Sequence, residues 1–279
     1  MKKALLYIFT FLATEFVAMF LVIGAYMLFA GGNPEDDLPP LWHIVSMVTF
    51  SLCIIIVFMT TGWFKASRSY LQSHPWGVVF WSGVAALGAI VPSLVLQGLL
   101  PEWTGWAKEM ADDTNEQLGQ LMLMPGGYMV VALLPPLVEE MVFRGCVLKS
   151  LLQWKPERKW LMIALSALFF SLVHMNPAQL PHTFLIGLLL GWMYMRTGSI
   201  VPGVVYHWVN NTMAYVMFHV YHNPQTLQDI IGPGNNRVAL ALLFSLCILI
   251  PSLIQLNQRM RRSRGDEELR SKGVEEIKE

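Results

Sequence analysis

The chain has 279 residues, of which 54% are hydrophobic and only 14% charged, where an ordinary soluble domain carries roughly 25% charge. Its formal net charge is zero, so no global field points to nucleic acid or to an acidic substrate. Three cysteines without CxxC or CxxH spacing give neither a disulfide framework nor a zinc ribbon.

Apolar runs near the ~20 residues needed to cross hydrocarbon recur along the sequence. Eight spans are predicted, in order Ala4 to Phe29, Leu41 to Phe64, Trp76 to Leu100, Gly126 to Leu152, Trp160 to Met175, His182 to Met195, Ile200 to Tyr221 and Val238 to Leu256. The fifth and sixth are short, and the MNPAQLP between them, with two prolines and Asn176, predicts a tight turn rather than one continuous helix. The first run is too long for the ~7–15-residue apolar stretch of a cleaved signal peptide, so it is read as a span. Glu15 within it reads as a carboxyl hydrogen-bonded at a helix interface. Cys53, Cys146 and Cys247 read as small buried hydrophobes.

The expected fold is therefore all-α, a polytopic membrane bundle of about eight transmembrane helices over residues 1–256, followed by a polar cytosolic tail over 257–279. Basic residues alternate as that count requires. Sixteen lysines and arginines fall in the segments assigned to the inside, among them Lys65, Arg68, Lys155, Arg158 and Arg196. Only Lys108 and Arg237 fall outside, where the acidic Glu35, Asp36, Asp37, Asp112 and Asp113 lie. Both termini are expected in the cytosol, and the protein in a bacterial cytoplasmic membrane in contact with its lipid.

LVEEMVFRG, residues 137–145, puts three ionisable groups into one of these spans. An intramembrane charge costs on the order of 3 kcal/mol or more and turns inward toward a partner. Glu140 and Arg144 stand four apart, in the glutamate-first order that favours an ion pair on a helix. Glu139 is rotated by about 100° from Glu140 and is left over. An unpaired carboxylate in low dielectric suits a group that must take and return a proton. The bland alternative is that both glutamates belong to one network with Arg144.

Two further spans carry polar pairs: Phe170 and His174 in FSLVH, and His207 and Asn211 in HWVNN, each four apart on one helix face. Each histidine alone reads as an ordinary core residue. At ~1.5 Å per residue, however, Glu139, His174, His207 and Asn211 reach a common depth near the middle of the bilayer. Together they have the parts for peptide hydrolysis: Glu139 with His174 to deprotonate a water, His207 with Asn211 to hydrogen-bond the oxyanion. Zinc is the competing chemistry, since a carboxylate and two imidazoles are legitimate ligands, but no HExxH is present and Asn is a poor ligand. Gly187 and Gly191 in GLLLG read as close helix packing. His43, His74, His182, His219 and His222, near span ends or in loops, are assigned nothing.

At these residues the sequence resembles the CAAX prenyl-protease and bacteriocin-processing family of intramembrane endopeptidases, also described as abortive-infection proteins. The matching motifs are EExxxR as Glu139, Glu140 and Arg144, FxxxH as Phe170 and His174, and HxxxN as His207 and Asn211, with Gly187, Gly191 and Thr197-Gly198-Ser199 in the linking stretch. The resemblance covers about residues 126–215. It implies that Glu139 and His174 activate the hydrolytic water, that His207 and Asn211 stabilise the oxyanion, and that Glu140, Arg144 and Phe170 support them. It also implies a peptide or protein substrate at the membrane. The family is described both as metal-dependent and as a glutamate-type protease, and the motif leaves both open; the expectation here is no metal, with zinc the alternative. The rival expectation is a non-catalytic immunity or scaffold protein, or an ion or proton path, which would need a polar track from one face to the other.

Overall fold

In a computed structural model, the described residues are 1–33, 38–66, 69–98, 104–221 and 226–276, with side chains described up to Met260 apart from that of Ala178. Glu35, Asp36, Asp37, Arg68, Leu100, His222 and the side chains of the basic residues from Arg261 onward lie outside them. The described residues form helices and no strands, an all-α membrane bundle.

The long helices are α1 (Lys2–Ala30), α2 (Pro40–Thr60), α3 (Trp76–Gly98), α4 (Trp106–Leu123), α5 (residues 129–154), α6 (Lys159–Leu172), α7 (Leu180–Thr197), α8 (Val201–Tyr221) and α9 (Asn235–Glu276). Of these, α1, α2, α3 and the stretch Asn235–Met260 of α9 are long and apolar enough by themselves to cross a membrane. They surround α5 to α8, which are shorter, broken or more polar. The exposed faces of α1 and α9 carry large apolar side chains such as Phe9, Phe16, Phe20, Leu243 and Phe244, as a lipid-facing wall should.

Small residues let these helices approach. A Cβ on Gly88 of α3 would come within 2.8 Å of the Leu249 backbone of α9, and Ser245 donates to the Gly88 carbonyl at 2.8 Å. The expected packing role of Gly187 and Gly191 holds: a Cβ at either would stand 2.8 Å from Ala167 or Ile163 of α6.

The predicted turn after the fifth span is present as Pro177–Gln179, between α6 and α7. With 14 residues, α6 is only about 21 Å long at 1.5 Å per residue. It ends part-way across a ~30 Å hydrocarbon core. The chain turns there through Met175 in left-handed backbone, φ 49°, so His174 is held at depth rather than at a surface.

Three expectations need correction. The stretch between the third and fourth spans, read as an acidic loop, contains α4, whose Asn115 Oδ1 accepts a hydrogen bond from Asn176 Nδ2 at 3.3 Å. Its low apolar content hid it from a search for spans. Glu15 is exposed on α1 rather than enclosed at a helix interface. Cys146 is buried, but Cys53 is only partly so and Cys247 is exposed on α9, because a lipid-facing position is as apolar as a core one.

Candidate active site

The centre of the site is the irregular helix α5. Its turns are wide, with hydrogen bonds spaced five residues apart, over Met129–Leu133 and again over Glu140–Leu148. Pro135 and Pro136 explain the first break, because neither has an N–H and the Val131 carbonyl loses its partner at both the four-residue and the five-residue spacing. Asn211 Nδ2 of α8 donates to that carbonyl at 3.1 Å. Wide turns of this kind occur disproportionately at functional sites.

The second wide stretch carries the charges. Arg144 Nη1 donates to Glu140 Oε1 at 2.5 Å, with the two side chains 1% and 0% exposed. Arg144 Nη2 reaches the Gly187 carbonyl of α7 at 3.4 Å, and its guanidinium carbon lies 4.2 Å from the centre of the Phe170 ring. Gly203 makes room for Glu140, since a Cβ there would fall 2.7 Å from Glu140 Oε2. The ion pair therefore ties α5, α6, α7 and α8 together in the buried interior.

Glu139 sits differently. Its side chain is 18% exposed, and its Oε2 has no hydrogen-bond partner among the described residues. The Nε2 atoms of His174 and His207 lie 3.9 and 3.8 Å from that oxygen. These separations exceed a hydrogen bond but match a single bridging water. His174 Nδ1 lies 2.7 Å from the Phe170 carbonyl, which can only accept, so Nδ1 carries the ring hydrogen and Nε2 of the neutral ring faces Glu139 with its lone pair.

His207 is placed between the two glutamates. While Nε2 faces Glu139, Nδ1 stands 3.5 Å from Glu140 Oε1. Phe170 stacks edge-on with His174 at 4.7 Å, Phe143 at 5.4 Å and His207 at 5.9 Å, so one ring orients both imidazoles.

A cavity of about 470 Å³ opens onto Glu139, His174, His207 and Asn211, well within the ~300–1,000 Å³ of typical ligand sites. The structure thus brings together all four residues that sequence spacing singled out. It adds His182, Gln179 and Asn210 to the same wall. His182 was passed over because it starts α7 after the proline turn, and a residue at a span end carries no cost signal. Its number alone, eight after His174, does not reveal that the turn folds it back. Among the described residues no group of three or more His, Cys, Asp or Glu side chains has an arrangement suited to a metal ion.

The family described as Type II CAAX prenyl endopeptidase Rce1-like matches residues 122–213, which contain every one of these motif positions. Residues 122–213 are similar to that family, over less than half of the chain. This family core comprises α5 to most of α8, the broken and short helices, while the four long apolar helices lie outside it. A protein of Bacillus subtilis (strain 168) named "Putative membrane peptidase YdiL" is 21% identical over 218 residues, which span 75% of this chain and 86% of that protein. No solved structure gives a significant match.

Proposed function

We propose that the chain is an intramembrane endopeptidase of a bacterial cytoplasmic membrane, acting on a peptide or protein substrate at the membrane without a metal. The observation that carries this reading is Glu139 Oε2 on the cavity wall, without a hydrogen-bond partner among the described residues, with two imidazole nitrogens 3.8–3.9 Å away. The family assignment and the relative's name support a protease in general terms.

The chemistry follows from the acceptors. A water between Glu139 Oε2 and His174 Nε2 donates one hydrogen to each, which leaves its lone pairs facing the cavity. Attack on a peptide carbonyl forms a C–O bond as the water proton passes to Glu139. The carbonyl electrons move onto oxygen, where His207 Nε2–H and the Asn211 amide hydrogen not given to Val131 stabilise them. Collapse breaks the C–N bond, and Glu139 returns the proton to the leaving amine. Every proton is accounted for within these four side chains.

The alternative polar track gains no support, because Phe58, Phe143, Leu148, Leu151 and Ile163 are fully buried in one apolar cluster at the inner end of the site. The test compares purified wild-type protein with Glu139→Gln, together with the membrane proteomes of cells carrying each. New peptide termini generated by the wild type and missing with Glu139→Gln are expected. Full cleavage by the variant sinks the mechanism, and wild-type activity lost to a chelator and restored by zinc overturns its metal-free form.

A further inference from the structure

The cavity has a direction across the bundle. Its wall includes Met47 of α2, Leu94 of α3, Thr114 of α4 and Met217 of α8. Met47, Leu94 and Met217 lie in the part of their helices near the connections at 31–39, 99–128 and 222–234, and Thr114 and Ile230 come from within the last two of these. Among the described residues, those of the connections at 61–75, 155–158 and 198–200, at the other end of the bundle, contribute nothing to it.

That other end is closed by packing and is the basic end. Gly145 lies against Phe64 and Ile200, and Arg259 of α9 covers Gly77 at the start of α3. Lys149, Lys155, Arg158, Lys159 and Arg196 all belong to helix ends or connections on this side. Under the positive-inside rule it faces the cytosol. The cavity therefore extends from Glu139 toward the side away from the cytosol.

The lining chemistry narrows what enters. Apart from Glu139 and the three histidines, every lining side chain is uncharged. A charged substrate residue there would be desolvated without a counter-ion, at a cost of several kcal/mol. Ser93, Gln97, Gln179 and Asn210 interrupt the apolar wall with donors and acceptors. Such groups suit an extended backbone, whose N–H and C=O groups have no partners of their own.

Resting on the endopeptidase reading above, we infer that the substrate is a polypeptide whose scissile bond lies in an uncharged, extended stretch on the non-cytosolic side, and that it reaches Glu139 from that side. This sets the compartment of the products as well as the sequence around the cut.

The route is tested without any activity, by labelling spheroplasts with a membrane-impermeant maleimide. Thr114→Cys and Ala214→Cys put thiols on the cavity wall, Lys155→Cys puts one at the basic end, and the wild type, whose three cysteines lie in apolar segments, is the blank. The two cavity thiols are expected to label in intact spheroplasts and Lys155→Cys only after lysis. The reverse pattern, or cavity thiols that label in neither condition, overturns the inferred route. The substrate class is read from termini that depend on Glu139. They are expected in uncharged, non-cytosolic stretches, and cytosolic or charge-flanked cuts overturn it. Outward labelling with no Glu139-dependent termini would instead remove the endopeptidase reading, and the substrate class with it, while leaving the orientation of the cavity standing.

Discussion

The two ends of the bundle solve opposite problems with the same kind of sequence. At the basic end, Phe58, Phe143, Leu148, Leu151 and Ile163 fill space completely, and the charges of Glu140 and Arg144 are paired. At the other end, short or broken helices leave about 470 Å³ open, and Glu139 Oε2 has no hydrogen-bond partner among the described residues. Two neighbouring glutamates thus fall on either side of a boundary between packing and chemistry. Substitutions on the packed side should cost stability, and those on the open side activity.

The largest effect that sharpens this contrast is on the open side. Glu139→Gln keeps the shape of the side chain and removes the proposed base. Cleavage by purified protein should fall on the order of 10²–10⁴-fold, the usual worth of a positioned general base, with the unfolding temperature in detergent unchanged. A marked drop in unfolding temperature would show that Glu139 belongs to the packed half after all.

Next in size is the ion pair on the packed side. Arg144→Met leaves Glu140 enclosed without its cation, and breaking a buried pair in this way costs roughly 3–5 kcal/mol. Thermal unfolding should show that loss, and Arg144→Met combined with Glu140→Gln should recover much of it. Equal destabilisation by the single and double variants would mean that the pair contributes shape rather than charge.

A smaller effect is expected where α6 and α7 touch. Gly187→Ala puts a methyl about 2.8 Å from Ala167 Cβ, and overpacking of this kind costs about 1–3 kcal/mol. Ala167→Gly should relieve it in the double variant. Because His174 follows α6 directly, activity should recover together with stability.

Much of this contrast was legible in the sequence, for reasons that are local. Intramembrane charge forces pairing, so four-residue spacing found Glu140 with Arg144, and hydropathy with two prolines found the short helices and the turn that hold His174 at depth. What stayed hidden depends on register between distant segments. Ideal helical geometry cannot foresee the wide turns of α5, and α4 is too polar to register as a span. Nothing within HWVNN tells that His207 stands between both glutamates, since that follows from how α8 packs against α5. The same holds for His182, whose place in the cavity wall is set by the turn before it.

Asn211 offers the finest test, because it stands on both sides of the boundary. One amide hydrogen goes to the Val131 carbonyl that Pro135 leaves unpaired, while the side chain also lines the cavity. Asn211→Ala should then cost about 0.5–1.5 kcal/mol of stability, the net value of one hydrogen bond, in addition to lowering activity. Pro135→Ala supplies the missing N–H, so Val131 can be satisfied within α5. In that background the stability cost of Asn211→Ala should shrink while its effect on cleavage persists. A double-mutant cycle read by thermal unfolding and by cleavage rate separates the two roles. Coupling in both readouts would make Asn211 a strut for the broken helix, and coupling in stability alone would leave its second hydrogen to the oxyanion.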